Sequence, residues 1–318
     1  MTTTQPGLLT GPAPALTAAG RAANRSRRRR RLSRVGVALA GALLVLLALV
    51  AIAPGLFTGR APNETDLAQT MASPSGAHWF GTDQLGRDVF ARVLHGARTS
   101  LLVGVGSTAF ALLGGTVLGL AAALSGRVGD QVLMRFADVL LSLPSLLLAL
   151  LLALLLALLL ALLLALLLAL LAVTVLGTGT VNVMLAVAIA FVPGYARIVR
   201  AEALVVRRSG YVEAAVGLGL PRPVLVARHV LPNTLGPLLV LGAVGFGTSV
   251  IYASGLSFLG LGAGPPSPEW GAMLSEGRSF LATAWWIGVF PGLAITVTVV
   301  AVNIVGRFAQ RRFAGRTS

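Results

Sequence analysis

The chain has no cysteine and no lysine: all 25 of its basic residues are arginine, set against only 10 acids. Without cysteine there is no disulfide framework and no thiolate chemistry. Without lysine there is no Gly-Lys-Ser/Thr phosphate loop and no Schiff-base catalyst. Any ATP that drives this chain must therefore be hydrolysed on another subunit. Charge of either sign is scarce, at 11% of 318 residues, where a soluble domain carries about 25%. Apolar residues make up 56% of the chain, and the mean hydropathy is +0.88. Such a chain belongs in a bilayer.

Residues 1–34 are rich in Thr, Ala, Pro and Gly and end in RSRRRRRLSR, which reads as a disordered cytoplasmic tail. No aromatic residues interleave with these arginines and a membrane segment follows at once, so the tail does not read as a nucleic-acid arm. The apolar run over 35–53 is long enough to span. Arginines before it and Ala51-Ile52-Ala53 at its end also resemble a cleavable signal peptide, but the run is longer than usual and Pro54 would follow the cut.

Residues 54–98 read as a polar loop, 101–124 as a glycine-rich second span, and 126–138 as a short polar connection. Gly104, Gly106, Gly114, Gly115 and Gly119 predict close helix packing in the second span. The third span, over 139–176, contains 27 consecutive Leu and Ala residues (146–172), with Ala149, Ala153, Ala157, Ala161, Ala165 and Ala169 at a period of four. As one helix it would be about 57 Å long in a core of about 30 Å. Either the alanines form a packing stripe, or a short block has been duplicated inside an ordinary span. Further spans are expected over 181–199 with a kink at Pro193-Gly194, over 233–256, and over 282–305, where Trp285 and Trp286 suit an aromatic belt.

The arginines test this layout. Eight fall in the tail, two in 126–138, six between Arg197 and Arg228 and four after the last span; only Arg60, Arg87, Arg92, Arg98 and Arg278 lie opposite. That bias predicts six spans with both termini inside, in an all-α polytopic membrane protein. The net charge of +15 then matches anionic inner-leaflet lipid rather than nucleic acid.

The longest polar interruption of the second half is Tyr211–Asn233, YVEAAVGLGLPRPVLVARHVLPN. It reads as two short helices: Glu213, Ala214 and Ala215 in the first, Gly219 at its C-terminal end, then Pro221 and Pro223 at a turn and a new helix start. Small residues at 214, 215, 217 and 219 let another backbone approach. Glu-Ala-Ala, Gly219, His229 and Leu231-Pro232 in this order resemble the EAA loop of ABC-importer permeases. Gly81-Thr82-Asp83 and Gly86-Arg87-Asp88, within HWFGTDQLGRDVFARVLHGARTSL from His78 to Leu101, resemble the outer-loop signature of dipeptide, oligopeptide and nickel permeases. SGLSFLGLGAGPPSPEWGAMLSEGRSFL, residues 254–281, resembles a third segment of that family and reads as an outer, partly re-entrant loop. Ala253 departs from the family pattern, which commonly has glutamate there.

The resemblance covers roughly 35–310 and implies a type I ABC-importer permease fold in a bacterial inner membrane. It also implies a coupling loop over 200–232, a heterodimer with a second homologous permease, two cytoplasmic ATPase subunits holding ATP-Mg, and an extracytoplasmic solute-binding protein. No directly bound cofactor is expected. The cargo it implies is di- or oligopeptide, with nickel as the alternative. His78, Asp83, Asp88 and His95 have no common zinc or calcium spacing, and Asp83 and Asp88 are expected to cap helices or pair with Arg87 and Arg92. No intramembrane-protease motif occurs. A secondary transporter would carry ionisable residues within its spans, and here every acid falls in a loop or at a span end.

Overall fold

Backbone polar groups inside a bilayer must all be paired, which leaves helices and closed barrels, and uninterrupted apolar runs of about 20 residues suit helices. The computed structural model describes residues 35–142, 144–145, 147–155 and 179–314. The arginine-rich tail, the greater part of the Leu/Ala repeat and residues 315–318 lie outside them. Ten helices are used below: α1 Val35–Ile52, α2 Val89–Leu124, α3 Arg127–Ser142, α4 Leu147–Leu155, α5 Thr180–Arg207, α6 Gly210–Gly217, α7 Arg222–Leu225, α8 Leu231–Phe258, α9 Trp270–Gly277 and α10 Trp286–Ala314. Among the described residues five are long and apolar enough to cross a membrane, and α3 with α4 adds a sixth if the bent pair is one span. The protein is an all-helical multi-pass membrane protein.

Several boundaries differ from the sequence expectation. α2 begins at Val89, twelve residues before residue 101, because Asp88 caps it by accepting the Ala91 N–H at 2.9 Å. Its first three turns carry Arg92, His95 and Arg98, which mask the helix in a hydropathy reading. The connection 126–138 is helical and extends through residue 142 as α3, so α4 starts at Leu147 rather than at 139. α5 runs through Pro193 as one helix and includes residues 200–207. α8 is continuous with the segment before it, and α10 starts at Trp286, four residues after 282.

The centre of the bundle is the contact of α2 with α5, and glycine makes it possible. A Cβ at Gly119 would lie 2.5 Å from the Ala196 carbonyl oxygen and 2.7 Å from Val199 Cβ; one at Gly115 would lie 2.5 Å from Tyr195 Cβ. Gly106 and Gly114 receive Met184 and Val192 in the same way, and Gly104 receives Val250 and Phe246 from α8. All five glycines singled out in the sequence are therefore packing positions. Ala149 and Ala153, the described members of the four-residue alanine series, are buried. Ala149 sits in an apolar cluster with Val103, Val183, Val187, Ala253 and Leu256. The position where the family commonly has glutamate is thus an apolar core site in this chain. α8 and α10 lie antiparallel, with Gly247 beside Asn303 and Gly306 beside Val244.

Gly119→Val should force α2 and α5 apart and cost roughly 1–3 kcal/mol as overpacking. In thermal unfolding of the solubilised protein the variant should melt lower than wild type. Gly126→Ala, where a Cβ meets nothing within 4 Å, should not.

Candidate functional site

The three family-like segments lie at the two ends of α2, with 78–101 and 254–281 at its outer end and 211–233 at its inner end. At the outer end, Gly81 (φ +73°) and Gly86 (φ +71°) bracket a tight loop. A Cβ at Gly86 would fall 1.8 Å from the Asp66 carbonyl oxygen, so only glycine fits there. Asp83 accepts from the Leu85 and Arg87 N–H groups at 2.9 and 3.0 Å and from Arg87 Nε at 2.6 Å. Arg87 reaches on to Glu276 of α9 at 3.1 Å, and Arg92 faces both Asp83 (3.7 Å) and Glu276 (3.5 Å). Arg92, Asp83 and Arg87 are all nearly inaccessible. Two acids thus neutralise two arginines in a buried quartet.

Asp88 pairs with Arg60 at 2.7 Å and His78 Nδ1 at 2.9 Å while capping α2. Thr82 is fully buried; its Oγ1 accepts from the Ala72 N–H, and its carbonyl accepts from Trp286 Nε1 at 3.0 Å. Trp286 is therefore a buried anchor of the loop rather than a belt residue, while Trp285 is half exposed. Trp270 donates to the Val93 carbonyl at 2.8 Å, and Glu269 caps α9 through the Gly271 and Ala272 N–H groups. Burial pushes the Glu269 carboxyl above the ordinary range, against the pull of those hydrogen bonds and those of Ser257 and Ser100. The outer motif is thus a rigid cap that joins α2, α9 and α10.

At the inner end, α6 ends as the sequence predicts. Gly219 takes φ +79°, its N–H donates to the Val216 carbonyl at 2.9 Å, and the Leu220 N–H reaches back to the Ala215 carbonyl at 3.2 Å. These two bonds form a Schellman motif, and Leu220 closes it against the apolar cluster of Val212, Ala215 and Leu225. α7 follows at once, and a π-helical turn over Val226–Val230 joins it to α8 without a break. Pro232 is the second residue of α8 and follows the π-turn directly, where the helical bonding pattern changes. Asn233 Nδ2 donates to Tyr211 Oη at 3.1 Å and to the His229 carbonyl at 2.6 Å, pinning α6 to the π-turn. Arg207 donates to the Ala123 carbonyl at the end of α2.

The sequence-predicted residues divide between two faces. Ala215 is packed inward and Leu231 is half-buried, whereas Glu213, Ala214, Gly219 and Pro232 are exposed. Glu213 lines a cavity of about 630 Å³ with Arg207, Ser125 and Leu124, between α6 and the end of α2. Sequence reasoning missed Leu218 and Val216, which expose 82% and 57% of their surface on the same knob. In so apolar a chain a leucine draws no notice. Its signal is position, one residue before a helix-ending glycine in the longest polar interruption of the second half.

Asp83→Asn should leave Arg87 and Arg92 undercompensated in a buried site and cost about 3–5 kcal/mol. Thermal unfolding and limited proteolysis at the 54–88 loop should both register the loss. A variant as stable as wild type would show that the quartet contributes nothing net.

The profile of the binding-protein-dependent transport system inner membrane component family matches residues 115–318. The chain is 37% identical over 278 residues to a dipeptide transport system permease protein, DppC, of Alkalihalophilus pseudofirmus, covering 87% of this chain and 85% of that one. It is 41% identical to the glutathione transport system permease protein GsiD of Pectobacterium atrosepticum (87% and 86% covered). It is 39% identical to the probable D,D-dipeptide transport system permease protein DdpC of Escherichia coli (83% and 82%). A solved amino acid ABC transporter is similar at a TM-score of 0.48 and 15% identity, over 70% of this chain and 94% of that one, too distant to bear on the fold. The relatives' identity and coverage, with the profile match over most of the chain, place this multi-pass inner-membrane protein in the binding-protein-dependent transport system inner membrane component family.

Proposed function

We propose that this chain is the membrane-spanning permease subunit of an ATP-driven importer that takes up di- and oligopeptides. The observation that carries the reading is its 37–41% identity, over most of both chains, to permeases named for dipeptides, glutathione and D,D-dipeptides. No chemistry is assigned to the chain itself. ATP-Mg is held and hydrolysed by two cytoplasmic ATPase subunits, a second homologous permease completes the pathway, and an extracytoplasmic binding protein delivers the cargo to the outer cap.

The geometry supports a coupling role for α6 and α7. The knob is braced from within by Val212, Ala215 and Leu225 and presents Leu218 and Val216 outward. Apolar side chains exposed on a polar segment fit a protein partner. Movement of α7 passes straight into α8, because the helix runs on through the π-turn. It also reaches α2 and α5 through Arg207 and the small cluster of Ala123, Ala203 and Val230. In this scheme ATP-driven closure of the ATPases tilts the inner ends of α2, α5 and α8, while the outer cap moves as a unit.

Three substitutions test the coupling assignment in a deletion strain complemented with this gene. Glu213→Lys reverses charge on the docking face, Leu218→Asp removes its apolar contact, and Gly219→Val places a β-branched residue at positive φ, at a cost of about 1–2 kcal/mol. Each should reduce labelled peptide uptake at least about tenfold, as a loss of roughly 1.4 kcal/mol at the interface implies. Membrane insertion should be unchanged. Wild-type uptake in all three would remove the coupling role, and uptake of nickel but not peptide would overturn the cargo.

A further inference from the structure

α3 lies outside the coupling knob and does not continue α4 as one straight helix. Its axis turns 101° from that of α4 across Pro144. Its ion pairs with α5 agree. Asp130 pairs with Arg200 and Asp138 with Arg197. Those partners are eight residues apart on α3, about 12 Å along its axis, but only three apart on α5, about 4.5 Å. That unequal spacing suits helices that cross rather than run side by side.

The two sides of α3 differ. Ala137 is fully buried and Leu133 is half-buried. On the other side Val128, Val132, Phe136 and Val139 are exposed by 74, 62, 59 and 64%. At 100° per residue these four fall within about 80° of the helix circumference, with the exposed Arg135 along their edge. Both acids of the helix are turned away from this stripe and neutralised by arginines of α5. The open face is therefore an apolar strip bordered by a cation, at the level where α2 ends and the apolar run of α4 begins.

We propose that α3 lies in the plane of the inner-leaflet interface as a monotopic helix. Val128, Val132, Phe136 and Val139 enter the acyl boundary of the phospholipid, and Arg135 meets its headgroup phosphates. Apolar burial and a bordering cation are the two features by which interfacial helices hold a bilayer. The chain then leaves α2, runs along the inner surface, and turns into the membrane at Pro144.

The chain has no cysteine, so single-cysteine variants at 128, 132, 136 and 139 carry one spin label each. Their depths are read by power saturation with oxygen and a water-soluble nickel chelate. The sample is the full-length chain, purified with its native subunits and reconstituted in nanodiscs of phosphatidylethanolamine and phosphatidylglycerol. The expected result is one common depth, near the inner headgroups, with high oxygen access at all four positions. A steady gradient of about 16 Å from 128 to 139, at 1.5 Å per residue, would make α3 part of a span and overturn the proposal. Labels reached by neither reagent would overturn it as well, because a protein surface, such as a second permease subunit, then covers the stripe.

Discussion

α2 and α5 approach so closely at Gly115 and Gly119 that no side chain fits between them, and this contact connects the two ends of the molecule. The outer end of α2 carries Asp88 as its cap and Arg92 within the buried charge quartet. Its inner end touches Arg207 at the close of α5, just before the α6–α7 knob. Without a hydrophobic driving force between helices in lipid, such an interface depends on close packing. A bulkier residue would loosen cap and knob together.

The second organising feature is continuity. A loop between the knob and the bundle would absorb motion, but α7, the π-turn and α8 form one uninterrupted helical path from Arg222 to Phe258. The π-turn keeps the main chain helical while the Tyr211–Asn233–His229 contacts fix α6 beside it. At the far end of α8, Ser257 and Glu269 tie into α9, and α9 joins the charge quartet through Glu276. The proposed stroke therefore has a mechanical route from the knob to the outer cap through side chains and helices.

Much of this was legible in the sequence, for local reasons. A helix ending at Gly219 follows from glycine's freedom at positive φ, and the packing role of the five α2 glycines follows from their density in an apolar run. What stayed hidden needed partners distant in the chain. Glu276 completes the charges of Arg87 and Arg92 from about 190 residues away. Trp286 reads as a belt residue until its donor is seen bonded to the Thr82 carbonyl. α3 reads as a polar connection because its four charges outweigh a stripe of valines and Phe136 that only a helical projection reveals. Recognising α3 as a helix also moves the start of α4 to Leu147, which shortens the apolar run to be accommodated.

The most direct test of the coupling account is a cross-link from the tip of the knob. With a photoactivatable cross-linker on Leu218→Cys in the cysteine-free chain, illumination of membranes containing the whole transporter should yield an adduct with the ATPase subunit. The same reagent on Leu56→Cys, 84% exposed in the opposite loop, should yield none. The account predicts the first adduct in quantity and its change on adding ATP. No ATPase adduct at 218, in a transporter that still takes up peptide, would contradict it.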